Sequence, residues 1–142
     1  MGGASLPSRP DAKKRRVDYF YEPSIDDYYY GQGHPMKPHR ICMPHNLIVH
    51  YSLHRRMEIN LPFPANPFDI RRFHSKDYVK FLASVTLETL SDHSFSHHLK
   101  RFNVNEDCPV FNGLFGFCQS FAGRSISAAV KLNRGDANIS LN

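Results

Sequence analysis

One apolar repeat constrains this chain more than any other feature: Phe111, Leu114, Phe115, Cys118 and Phe121 fall at i, i+3, i+4, i+7 and i+10. Helical geometry gathers those positions on one face, so the spacing predicts an amphipathic helix. Gly123 would end it, since glycine adopts a left-handed C-terminal conformation without strain. A second helix is expected over residues 125–133, with Ile126, Ala129 and Val130 inward and Gly135 as its stop. The segments around these helices have another character. Residues 17–21, 57–60 and 137–142 are short, rich in β-branched and aromatic side chains, and read as strands. Ser75 reads as the N-cap of a helix burying Tyr78, Phe81, Leu82 and Val85. Pro38 can open a helix carrying Ile41, Leu47, Ile48 and Tyr51, and Pro44 inside that pattern predicts either a start at Pro44 or a kink there. Residues 28–38 and 91–98 read as loops. Strands interleaved with helices predict an α/β fold, with parallel strands and flanking helices.

The 142 residues suffice for one domain or part of a larger one. A hydrophobic fraction of 41% against 22% charged excludes wholesale disorder. No apolar run is long enough to cross a bilayer. The net charge of +5 suggests nucleic acid until it is divided. Arg9, Lys13, Lys14, Arg15 and Arg16 sit in the first 16 residues against Asp11 alone, which leaves 13 basic and 12 acidic residues for the rest. A surface that tracks phosphates needs its positive charge on the folded part, so direct nucleic-acid binding is not expected. Residues 1–16 read as a disordered basic arm, whose Lys13–Arg16 run is either a nuclear-import signal or a solubilising tail. No apolar stretch follows the start, so a secretory signal is not expected, and Leu6 breaks the myristoylation pattern. Three cysteines without C-x-x-C spacing suggest free thiols in a reducing compartment.

Familiar catalytic patterns are weak. His50 and His54 have i, i+4 spacing that could share a metal ion, but no carboxylate or cysteine completes a set and Arg55 and Arg56 oppose a cation, so surface histidines are the plain reading. His97 and His98 fall in the expected polar loop. Ser120 and Ser140 lack a nucleophile elbow, there is no phosphate-binding glycine loop, and Cys42 and Cys118 read as small hydrophobes in helices.

Two segments resist dismissal. Tyr28-Tyr29-Tyr30-Gly31-Gln32-Gly33-His34-Pro35-Met36-Lys37-Pro38-His39-Arg40 is aromatic, glycine-bearing, basic and irregular, the composition of a loop that approaches another surface. Arg101-Phe102-Asn103-Val104-Asn105-Glu106-Asp107-Cys108-Pro109-Val110-Phe111 sets two acids before a proline and a helix. One carboxylate could cap the helix, leaving the other to face a ligand or partner.

With Phe73-His74-Ser75 and Val130-Lys131-Leu132-Asn133 in register, these segments make the sequence from about Val17 to Asn142 resemble the amino-terminal third of a class I histone deacetylase domain, most closely plant members. The resemblance implies an α/β deacetylase (arginase-like) fold, incomplete here, and a nuclear role in transcriptional repression. Complete relatives hydrolyse acetyl-lysine on histone tails. Their zinc polarises the acetyl carbonyl and activates a water, a histidine pair moves protons and a tyrosine stabilises the oxyanion. In the family those groups follow the strand resembling residues 137–142. This chain is therefore expected to be inactive alone and to bind no zinc itself. The alternative is a non-enzymatic corepressor-interaction module or dominant-negative fragment.

What the resemblance carries over is peripheral. Asp107 matches the rim aspartate that accepts the substrate's backbone N–H groups. Tyr30, Met36 and Phe117 match the lining of an internal pocket below the zinc, and Arg40 matches the arginine there that attracts departing acetate. Gly33 and Lys37 match part of an inositol phosphate site shared with a corepressor scaffold. Pro44, Asn105 and Arg124 depart from the family pattern, the last two standing where it has glycine.

Overall fold

The computed structural model describes residues 15–142, so most of the expected basic arm lies outside the described residues. The elements run β1 (Val17–Phe20), α1 (His39–His50), β2 (Glu58–Asn60), α2 (Pro67–Ile70), α3 (Lys76–Ser84), α4 (His93–Arg101), α5 (Leu114–Asn133) and β3 (Ile139–Leu141). Short 3-10 turns cover Pro23–Asp27, Leu53–Arg56 and Thr89–Ser91. The strands form a parallel sheet in the order β2-β1-β3, so the α/β expectation holds.

The central strand β1 buries Asp18, Tyr19 and Phe20, as expected where both faces of a parallel sheet are covered. Asp18, only 1% exposed, pairs in register with Glu58 on β2. Two carboxylates side by side would repel. Lys131 of α5 answers both, its Nζ lying 3.4 Å from Asp18 Oδ2 and 2.8 Å from Glu58 Oε1. The Glu58 hydrogen bond, followed by Asp18, holds the Lys131 pKa above its ordinary value. The other side of the sheet is closed at its start. The Asn138 amide donates to Arg16 O at 2.9 Å, the Arg16 amide donates to Asn138 Oδ1 at 2.9 Å, and the Arg16 guanidinium reaches Gly135 O.

Two apolar clusters lie against α5. One gathers Phe81, Leu82, Val85 and Val110, with Phe95, Leu99 and Phe102 packed on it. The other gathers Ile25, Phe111 and Phe117, with Tyr28, Tyr30 and Ile41. Leu114 touches both, so the first turn of α5 joins the two cores.

Three local expectations change. Most of the loop expected over residues 91–98 belongs instead to α4 (93–101), capped by Asp92, whose carboxylate accepts from the Ser94 amide at 2.8 Å. Its apolar stripe is narrow, and the serines and histidines between obscure it. Residues 114–133 form one helix rather than two. Gly123 lies inside it because a Cβ there would overlap the Phe63 carbonyl oxygen and sit 2.9 Å from Ala65 N; the glycine admits a crossing segment. That segment is pinned to α5, with Ala65 N donating to Gln119 O at 2.8 Å and Gln119 Nε2 donating to Ala65 O at 2.9 Å. Finally, α1 begins at His39 and runs through Pro44. It ends at His50, and Ser52 turns left-handed at φ 57°, so His50 and His54 do not share a helix.

Arg124, the replacement for a glycine, is buried at 6% exposure and its Nε lacks a partner among the described residues. Burial lowers its pKa, partly offset by Tyr19, Glu22 and Tyr21. Phe63, Phe68 and Phe73 are largely exposed, so a substantial apolar surface stands open on the side of α2. No helix among the described residues is long and apolar enough to cross a membrane.

Candidate functional site

The two singled-out segments meet. Residues 28–38 remain irregular after the turn at Pro23–Asp27, with Gly33 at φ +76°, a conformation that strains residues bearing a Cβ. His34 fastens this loop to the other. Its Nδ1 lies 3.1 Å from the Met36 amide and 3.2 Å from the Met36 carbonyl oxygen. Its Nε2 lies 3.3 Å from Asp107 O. One imidazole therefore spans both loops.

On the far side Asn105 shapes the turn. Its Oδ1 accepts from the amides of Asp107, at 2.9 Å, and Cys108, at 3.3 Å. Asp107 is left exposed, and among the described residues no hydrogen bond or ion pair engages its carboxylate. Neither acid caps the following helix: α5 begins after Gly113 with no side-chain cap.

Beneath the loops is an aromatic box. The Tyr30 ring stacks on Phe111 at 4.8 Å and meets Phe117 edge-on at 5.7 Å; Tyr28 meets Phe117 edge-on at 5.1 Å. Such geometries are favourable beyond area burial alone. Phe111 and Phe117 are buried, and burial raises the Tyr30 pKa, with Cys118 and Cys108 nearby adding to it. Met36 and Arg40 make a second pair, Arg40 Nη1 donating to Met36 Sδ at 3.2 Å. His34 links the pairs, edge-on to the Tyr30 ring at 5.2 Å and bonded to Met36. Tyr30 is thus brought against Phe117, and Met36 against Arg40. Lys37 is exposed beside them and, with Asp26, Tyr30, Met36 and His39, lines a hollow of about 170 Å³. A larger hollow, about 680 Å³, opens between α3 and α4, and its lining shares no residue with the aromatic box.

Sequence reasoning missed two things here. It gave His34 no role, although a histidine between two glycine-bearing and proline-bearing turns is a ready fastener. It also missed a donor group. Asp26, His39 and Cys42 place one carboxylate oxygen, one imidazole nitrogen and the thiol sulfur within 4.8 Å of one another. His39 and Cys42 are i, i+3 on α1, which the sequence displays; Asp26 joins them only through the fold. Beside them, Tyr21 stacks face-to-face on His45 at 3.5 Å and 1°, and the Tyr19 hydroxyl lies 3.3 Å from His45 Nδ1. The Asp26 carboxylate raises the Cys42 pKa, burial pushes Tyr21 up to about 12, and burial lowers His45.

Comparison with known proteins places these features in a family. The profile described as "Histone deacetylase domain" matches residues 34–142. "Histone deacetylase 6" of Arabidopsis thaliana is 66% identical over 99% of this chain and 30% of that protein. "Histone deacetylase 19" of the same plant is 57% identical over 99% of the chain and 28% of its own length. "Histone deacetylase 1" of Bos taurus is 52% identical over 91% of the chain and 26% of its own length. The chain thus spans less than a third of the relatives it matches. With its parallel sheet and paired loops, the chain belongs to the histone deacetylase family.

Proposed function

We propose that this chain supplies the rim and the inner-pocket wall of a zinc-dependent acetyl-lysine deacetylase of the nuclear transcriptional-repression machinery. The observation that carries this reading is the His34 bridge. It holds the rim loop bearing Asp107 and the loop bearing Tyr30, Met36 and Arg40 in one arrangement, above the Tyr30–Phe111–Phe117 box. In that arrangement the free Asp107 carboxylate accepts backbone N–H groups of a histone tail. Arg40 gives the inner pocket a cation for acetate. Zinc, when present in a complete domain, would polarise the acetyl carbonyl and supply the attacking water. The residues carried over here orient and line; none of them ligates that metal.

The chain alone does not deacetylate. Zinc hydrolysis needs about three protein ligands, an open position and a proton-transfer group. Among the described residues, Asp26, His39 and Cys42 are the one close donor group, and no histidine pair stands beside it to move protons: His97 and His98 lie on α4 and project from adjacent positions. The purified chain with zinc is assayed on an acetylated histone peptide, and the expected result is no hydroxamate-sensitive turnover. Such turnover would refute this reading. Joined to the remaining part of a relative's domain, the chain should support turnover, and Asp107→Ala should then raise KM with little change in kcat.

A second reading is a non-enzymatic module for a corepressor scaffold, favoured by the exposed Lys37 beside the left-handed Gly33. It predicts that inositol phosphate strengthens scaffold capture by this chain and that Lys37→Ala abolishes the gain. Equal capture with and without inositol phosphate would sink it.

A further inference from the structure

The group formed by Asp26, His39 and Cys42 stands apart from the rim, and its hollow is lined also by Tyr30 and Met36 of the inner-pocket wall. Three observations meet there. The donors are of three kinds, carboxylate, imidazole and a thiol that gives up its proton on binding a metal, with ligand atoms within 4.8 Å of one another. Asp26 Oδ1 is buried and has no hydrogen-bond partner among the described residues, a position that is costly unless a donor or cation meets it. Finally, Asp26 and His39 both border the hollow of about 170 Å³, which leaves room for a fourth ligand.

We propose that Asp26, His39 and Cys42 bind one divalent ion of the zinc class, with water or a small anion from the adjoining hollow in the fourth position. A thiolate beside an imidazole selects against magnesium and calcium, which prefer oxygen ligands, and in favour of zinc or its cobalt surrogate. Carboxylate and thiolate together neutralise the charge of the ion. Metal–ligand bonds of about 2.0–2.3 Å set tetrahedral ligands about 3.3–3.7 Å apart, so the widest pair needs to close by at most about 1.5 Å. Exposed His39, free to rotate about its side-chain torsions, supplies that movement. Lys37 lines the same hollow and opposes the ion; Asp27, which lines it too, offsets Lys37.

The consequence of occupancy is mechanical. The ion ties the turn at Pro23–Asp27 to the first turn of α1, a helix that buries none of its own residues and has no side-chain cap. It would therefore hold the helix on which Arg40 stands.

The test is a cobalt titration of the purified full chain under reducing conditions. The expected result is one ion per chain, a thiolate-to-cobalt charge-transfer band, visible bands of tetrahedral intensity, and displacement by zinc. Cys42→Ser should abolish the charge-transfer band, Asp26→Asn and His39→Gln should each weaken binding at least about tenfold, and Cys108→Ser should change nothing. A band that persists in Cys42→Ser, or no band with the unaltered chain, overturns the proposal. Alkylation read by mass spectrometry serves a chain that aggregates on purification. Zinc should shield Cys42 and leave exposed Cys108 reactive; equal labelling of both with and without zinc counts against the site.

Discussion

Helices α1 and α3 are built on opposite plans. The 9-residue α3 is capped by Ser75, whose hydroxyl accepts from the Tyr78 amide at 3.2 Å, and it buries Val79, Phe81 and Leu82. The 12-residue α1 is longer, yet it buries nothing fully, has no side-chain cap and contains Pro44. Helix stability in proteins comes mostly from packing an amphipathic face, not from length. So α3 is part of the framework, while α1 is held by its margins: half-buried Ile41 against the Phe111–Phe117 cluster and the His45 ring against Tyr21. The helix bearing Arg40 and two of the three proposed metal ligands is the weakly held one, and functional elements commonly come from that end of the stability range.

The comparison can be broken by substitution, read as unfolding free energy in denaturant titrations. Phe81→Ala empties the centre of the α3 cluster and should cost about 3–5 kcal/mol; a loss below 1 kcal/mol would put α3 outside the framework. Pro44→Ala restores a backbone donor and relieves a clash, so it should stabilise α1 by up to about 3 kcal/mol. No gain would mean that the helix already accommodates the proline. Ser75→Ala should cost about 1 kcal/mol through the lost cap.

Acid provides a fourth handle. Burial depresses the His45 pKa below its ordinary value of 6.5, so the unfolded chain binds the proton more readily. Stability from this group is fully present above about pH 6.5 and declines as pH falls through the depressed value. In His45→Gln that part of the pH slope should vanish. The smallest effect is reserved for Leu47→Ala on the open face of α1, expected within about 0.5 kcal/mol of no change. A larger loss would show that another surface covers α1.

The architecture was legible wherever a local pattern had one physical solution. The short β-branched and aromatic runs gave the strands, the period-3.6 segments gave α3 and the start of α5, and the Ser75 cap lies where hydroxyl chemistry puts it. What failed depends on distant partners. Gly123 resembles a helix stop when only its neighbours are considered, whereas its role is to clear the Phe63 carbonyl. The Phe95, Leu99 and Phe102 stripe of α4 is spaced correctly, but its meaning comes from Phe81 and Leu82 on another helix. At the candidate site, the Tyr30–Phe117 pairing and the His34–Asp107 bond join segments 87 residues apart in one case and 73 in the other, and no spacing rule reports them. The Asp26, His39 and Cys42 group was half visible, as two helical neighbours without their third member.

The bond between Arg16 and Asn138 spans 122 positions. During synthesis β1 therefore leaves the ribosome long before β3 exists, and Tyr19 and Phe20 wait on a nascent strand with one flank unmatched. Contacts of such sequence separation form slowly. Chaperone occupancy during translation should consequently concentrate on that first strand and end only as residues 138–141 emerge.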